Sequence, residues 1–410
     1  MRRVKTGTQC VHFDTSEQRF REFGAISPPI YQTATFRQPM ASEFGEYDYT
    51  RTANPTRALL ERQLAALEGG IRACAFSSGM AAITALTRLL EVGDHILAGN
   101  DLYGGTVRLL DQVLSRSGIS VSYVDTTDLE EVRASFTERT RLVLIETPTN
   151  PLLRICDINA LDQLAHSAGA ILAVDNTMLS PCFQQPLALG ADVVIHSATK
   201  FLCGHSDVTA GGLVTIDAQL HRQLAFQQNA EGAGLSPFES WLLLRGIKTL
   251  ALRVSRQNTS AIMVAHFLSR HPAVKDVYYP GLTNHPDHQL HRAQATGDGA
   301  VISFTTGDAW LSEQFVSATQ LFDIAVSFGS VGSTISLPAK MSHASIPQSL
   351  KESISPPPDL VRLSIGIEDV DDLVDDLAQA FTAVADHYAK TLAVLGGAPE
   401  SDTASDPCGK

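Results

Sequence analysis

Two charged side chains at the ends of apolar runs are the residues of this sequence best suited to chemistry. Val194-Ile195-His196-Ser197-Ala198-Thr199-Lys200-Phe201 passes from an apolar stretch into hydroxyls and a lysine. Twenty-five residues upstream (200 − 175), Ala170-Ile171-Leu172-Ala173-Val174-Asp175-Asn176 ends in a carboxylate. An isolated lysine at a strand end ordinarily just reaches solvent. A lysine and an aspartate ending two strands of one α/β sheet meet at one crevice, because ligands bind outside the carboxyl ends of such strands. A third segment, Phe76-Ser77-Ser78-Gly79-Met80-Ala81-Ala82, reads as strand, small-residue turn and helix start. Its free N–H groups and helix dipole favour an anion, although alone such a turn is more often only a cap.

An amine for a Schiff base, an acid that keeps a pyridine nitrogen protonated and donors for a phosphate are what pyridoxal 5′-phosphate (PLP) requires. All three kinds of group are present. Other clusters carry less. His285, His288 and His291 have ligand-like spacing, but Pro286 interrupts the helix that would align them, so no metal is expected. The run Trp241-Leu242-Leu243-Leu244, with Leu250, Leu252 and Val254, reads as helix core.

The elements that must position these groups alternate along the chain. Apolar runs at 72–76, 95–98, 119–124, 141–146, 170–175, 192–197 and 212–216 read as strands, and 80–91 and 157–168 carry Ala and Leu at helical spacing. That pattern predicts an α/β core around a mostly parallel sheet. Ser236-Pro237-Phe238-Glu239 is a helix start with a capping serine, a proline at the first helical position and a glutamate able to reach back. An amphipathic stretch follows to about Arg270, then a smaller unit with strands at 274–279, 300–305 and 360–365 and a helix at 370–389 with an acidic start. Residues 391–410, rich in Gly, Ser, Asp and Pro towards their end, read as a disordered tail.

Composition narrows the function classes. With 31 Lys+Arg against 44 Asp+Glu over 410 residues the net charge is −13, which gives no footprint for nucleic acid or an anionic membrane. No apolar run reaches the roughly 20 residues of a membrane span. The six cysteines, Cys10, Cys74, Cys156, Cys182, Cys203 and Cys408, form no C-x-x-C pair, and a reducing, cytoplasmic setting is expected.

Ser197-Ala198-Thr199-Lys200-Phe201, Ala173-Val174-Asp175-Asn176, Glu146-Thr147-Pro148-Thr149-Asn150-Pro151 and Tyr49-Thr50-Arg51 with Asn54-Pro55-Thr56 resemble the Cys/Met-metabolism family of PLP enzymes, over about Thr8 to Ala389. The resemblance implies the fold-type I aminotransferase architecture, with a seven-stranded sheet, a smaller α/β C-terminal domain and a homotetramer made of two catalytic dimers. It divides the chain into an N-terminal arm (1–60) reaching the neighbouring subunit, a PLP-binding domain (61–250), a small domain (251–390) and the tail. It implies that Lys200 carries the Schiff base and moves protons, that Asp175 pairs with the pyridinium nitrogen, and that Ser197, Thr199, Gly79 and Met80 hold the phosphate. Tyr49 and Arg51 would reach that phosphate from the neighbouring subunit. Tyr103 would stack on the ring and take part in catalysis, and Asn150, Arg362 and Ser333 would bind an amino-acid substrate.

Within the family, Ser327-Phe328-Gly329-Ser330-Val331 and Met341-Ser342-His343-Ala344-Ser345-Ile346-Pro347 are similar to the plant-type cystathionine β-lyases. That resemblance implies β-elimination of L-cystathionine to homocysteine, pyruvate and ammonia, in methionine biosynthesis. γ-Lyases and γ-synthases commonly carry Glu where this chain has Gly332, and the plant-type pattern is expected to have Lys. The alternatives are γ-chemistry on the same scaffold, as a synthase, lyase or sulfhydrylase, and a catalytically silent PLP-binding homologue.

Overall fold

The computed structural model describes residues 4–12, 22–342 and 355–395. The tail beyond 395 and part of the Met-Ser-His-Ala-Ser-Ile-Pro run, from His343 onward, lie outside the described residues.

A seven-stranded sheet is built from β1 (Arg72–Phe76), β2 (His95–Gly99), β3 (Ser120–Val124), β4 (Thr140–Glu146), β5 (Ile171–Asp175), β6 (Val193–His196) and β7 (Gly211–Thr215), in the order β1-β7-β6-β5-β4-β2-β3. β3, β2, β4, β5 and β6 pair in parallel, whereas β7 runs antiparallel to both β6 and β1. β2, β6 and β7 are buried along their whole length. Continuous burial explains why they read as unbroken apolar runs rather than alternating ones. Every strand expected before Ile216 is present, with ends within two residues of those read from the sequence.

A second, five-stranded sheet is mostly antiparallel: β8 (Asp276–Tyr278), β9 (Val301–Thr305), β10 (Asp323–Ile324), β11 (Thr334–Ser336) and β12 (Leu360–Ser364), in the order β10-β11-β12-β9-β8. β10 and β11 were not expected. They are two and three residues long, too short for the period-2 signal on which a strand reading depends.

Helix ends follow their caps. In α1 (Pro55–Glu68) the Asn54 side chain accepts from Thr56 N and Pro55 opens the first turn. α2 (Gly79–Thr87) follows β1 directly, capped by Ser78. α3 (Pro237–Ile247) starts on the expected capping box: Ser236 Oγ accepts from Glu239 N at 3.2 Å and donates to Glu239 Oε2 at 2.9 Å. The amphipathic stretch then breaks at Lys248 and Thr249 into a separate α4 (Leu250–Leu268). Close packing accompanies the break, since a Cβ on Gly246 would stand 2.4 Å from the Cys203 carbonyl oxygen. The last helix, α5 (Val370–Leu395), keeps its acidic first turn and runs six residues beyond the expected Ala389.

Candidate active site

The chemistry-bearing side chains gather where the parallel strands end. β4 ends in Glu146, β5 in Asp175, and β6 runs into the turn carrying Ser197, Thr199 and Lys200. Together with Ser78, Gly79, Met80, Tyr103, Asn150 and Arg362 they line one cavity of about 200 Å³. Nine of the twelve site residues expected from the sequence line this cavity.

The anion end is formed by β1, the turn and α2. Ser78 Oγ accepts from Ala81 N at 3.0 Å, which leaves the first-turn N–H groups of Gly79 and Met80 without an intrahelical acceptor. Close approach shapes this cradle. A Cβ on Gly79 would stand 2.9 Å from Ser197 Cβ, and one on Gly211 would stand 2.1 Å from the Ser78 carbonyl oxygen. Ser197 N donates to Thr177 Oγ1 at 2.8 Å, and the Thr199 hydroxyl accepts from Ala210 N at 2.9 Å, fixing the turn that carries Lys200.

Lys200 Nζ donates to Ser327 Oγ and lies 5.1 Å above the centroid of the Phe328 ring. Burial, reinforced by the nearby Arg362 charge, pulls its pKa down to about 8 despite the opposing pull of Asp175 and Glu146. Arg362, on the central stretch of β12, is 2% exposed and donates from Nη1 to Asn150 Oδ1 (2.7 Å) and from Nη2 to the Ser327 carbonyl (3.0 Å). Burial lowers its pKa to about 10, so at neutral pH it stays a cation. The Asp175 carboxylate accepts from Thr177 N at 2.9 Å, yet burial lifts its pKa above the ordinary aspartate value. That residue would be relieved by a cation placed in the cavity.

PLP fits this donor set. Unspent N–H groups at a helix start suit its phosphate, the raised Asp175 suits a protonated ring nitrogen, and Lys200, with a depressed pKa, suits the aldehyde. Tyr103 forms part of the wall and is 42% exposed.

Three expected residues lie elsewhere. Tyr49 and Arg51 line a separate surface pocket, with the Arg51 guanidinium 5.3 Å over the Tyr49 ring and its Nε donating to Asn229 Oδ1 at 3.3 Å. Ser333 is not among the cavity-lining residues. Its Oγ donates to Glu368 Oε2 at 2.9 Å and accepts from Gly366 N at 2.9 Å, so the hydroxyl is spent on the backbone turn beside it. The three clustered histidines address separate backbone carbonyls: His285 that of Leu153, His288 that of Pro280 and His291 that of Gly297.

Two wall residues had been read only as parts of motifs. Glu146 ends its strand in a carboxylate as Asp175 does, a signal present in the sequence. Ser327, which touches both cations, carried no such signal; its backbone sits at φ 86°, in the left-handed region seldom adopted outside glycine.

Comparison with known proteins places the site in context. The family model described as Cys/Met metabolism PLP-dependent enzyme matches residues 7–382. The chain is 54% identical over 365 residues to the chloroplastic cystathionine β-lyase of Arabidopsis thaliana, covering 89% of this chain and 79% of that one. It is 50% identical over 357 residues to a cystathionine γ-lyase of Bacillus subtilis, covering 87% and 94%. The crystal structure of cystathionine γ-lyase from Lactobacillus plantarum complexed with L-serine superposes with a TM-score of 0.90 at 44% identity, over 93% of this chain and 100% of that one.

Proposed function

Because this chain belongs to the Cys/Met-metabolism PLP-dependent enzymes, we propose that it cleaves L-cystathionine by β-elimination, giving homocysteine, pyruvate and ammonia as a step of methionine biosynthesis. The observation that carries the choice of reaction is the extent of identity with the plant cystathionine β-lyase. Gly332 supports it. A Cβ there would meet nothing within 4 Å, so this chain leaves open space where γ-enzymes are expected to carry a glutamate.

Bound PLP supplies an electron sink for negative charge developing at the substrate Cα. Gly79 and Met80 N–H groups, with the Ser197 and Thr199 hydroxyls, would hold its phosphate, and Asp175 would face its ring nitrogen. Arg362 grips the substrate carboxylate through its planar fork, with Asn150 fixing the guanidinium at 2.7 Å. Lys200 in its neutral form removes the Cα proton, and the Ser327 hydroxyl orients its amine. The homocysteine thiolate then leaves from Cβ. Tyr103, in the cavity wall, would stack on the cofactor ring.

Tyr49 and Arg51, outside the cavity of their own chain, act in this reading on the neighbouring subunit's phosphate, within a catalytic dimer that pairs into a tetramer. The two separate sheets support the division into an arm (1–60), a PLP-binding domain (61–250) and a small domain (251–390). The five cysteines among the described residues are free, which supports a reducing, cytoplasmic setting. Among the described residues no helix is long and apolar enough to cross a membrane.

The test is product analysis with purified holoenzyme and L-cystathionine. Pyruvate with homocysteine is the expected pair; 2-oxobutyrate with cysteine would assign γ-chemistry to the same site.

A further inference from the structure

Glu146 and Asp175 are Cα partners in the parallel pairing of β4 with β5. Register partners project to one face, and adjacent strands are about 4.8 Å apart. Both side chains line the cavity, so two carboxyl groups share one poorly hydrated site. Glu146 is the more enclosed of the two, 5% exposed, and its Oε2 accepts from Tyr103 N at 3.3 Å.

The charged groups facing Glu146 come from each surrounding element: Asp175 from β5, Asp101 from the segment after β2, Lys200 from the turn after β6 and Arg362 from β12. The Arg362 charge pulls the pKa of Glu146 down, but as the smallest of the influences on it, and its hydrogen bonds go to Asn150 and the Ser327 carbonyl. Two like charges this close in a dry site do not both ionise. Each carboxyl accepts one backbone N–H, but the contact to Asp175 is the shorter, 2.9 Å from Thr177 N against 3.3 Å from Tyr103 N to Glu146, and Asp175 is the one that would face the ring nitrogen.

We propose that Glu146 is a neutral carboxylic acid in the working enzyme, so that the Glu146/Asp175 pair presents one negative charge, carried by Asp175, to the cofactor. This rests on the reading that Asp175 faces the ring nitrogen. The electrostatics agree, since burial first, then the charges of Asp175 and Asp101, push Glu146 well above the usual carboxylate range. A neutral Glu146 serves the reaction in two ways. It leaves the field of Asp175 concentrated on the ring, and it does not compete with the substrate carboxylate for Arg362.

Infrared spectroscopy of the holoenzyme labelled with ¹³C-glutamate tests this. At pH 7 a protonated-carboxyl carbonyl band that shifts with the label should be present in the wild type and lost in Glu146→Gln. Glu61, whose pKa burial also raises, contributes equally to both proteins and cancels in the difference spectrum. Should Glu146→Gln fail to fold, Glu146→Asp removes the same label-sensitive band. In Asp175→Asn, with the neighbouring charge gone, the pH at which the band disappears should fall. Loss of a carboxylate band, rather than a protonated one, in the Gln variant would overturn the proposal. An unchanged cofactor absorbance spectrum in Asp175→Asn would instead overturn the placement of Asp175, whatever the state of Glu146.

Discussion

The two sheets each send one cation into the same cavity, and the cavity treats them differently. Lys200 comes from the end of the seven-stranded sheet and Arg362 from the middle of the five-stranded one. Both stand over the Phe328 ring, at 5.1 and 5.2 Å from its centroid. The guanidinium is fixed by two hydrogen bonds and, even lowered to about 10, keeps its charge. The ammonium, held by the Ser327 hydroxyl on a flexible stem, comes down to about 8. The cavity therefore yields a permanent anchor in the buried arginine and a proton carrier in the less buried lysine, because only the amine has a neutral form within reach of neutral pH. Lys200 and Arg362 are not interchangeable cations.

Removing the carrier breaks the comparison most severely. Lys200→Ala should lower kcat by about 10⁴ or more and abolish covalent cofactor attachment, since it deletes both the amine and the proton shuttle; steady-state turnover and borohydride trapping read these. Arg362→Lys keeps the charge but loses the fork and should cost about 10–100-fold in kcat/KM, mostly as KM, from charge-assisted hydrogen bonds worth about 1.5–3 kcal/mol. Arg51→Ala concerns a cation outside the cavity. It should weaken PLP retention several-fold, and mixing it with Lys200→Ala chains should restore activity at the sites that combine an intact lysine with a neighbour's intact arginine. The smallest effect is expected from Gly332→Glu, which the open space accommodates. It should raise the 2-oxobutyrate fraction formed from cystathionine without disturbing cofactor binding.

Much of the carrier's side of this pair was legible in the sequence. Lys200 and Asp175 end apolar runs, and strands buried on both faces write themselves as such runs. The Ser236 capping box was equally readable, being confined to four residues. What the sequence left dark depends on contacts between distant segments. Ser327 matters because it meets Lys200 across 127 residues, and nothing local distinguishes its hydroxyl from any other. Ser333 shows the converse: its place in a family run suggested substrate contact, whereas tertiary packing turns the hydroxyl to Glu368 and Gly366. The short strands β10 and β11 escaped because pairing, β11 with β12 and β10 with β11, rather than their own pattern, makes them strands.

The contrast between carrier and anchor rests on the basicity of one amine, which can be measured directly. In cofactor-free protein, ¹⁵N-lysine NMR against pH, assigned through Lys200→Arg, should place the Lys200 transition near 8, with the amine neutral above that pH and protonated below it. Removing the neighbouring charge in Arg362→Met should move the transition upward, because that cation helps hold the amine neutral. A Lys200 transition at the ordinary lysine value, unmoved in Arg362→Met, would contradict the account of Lys200 as the proton carrier set beside a fixed arginine.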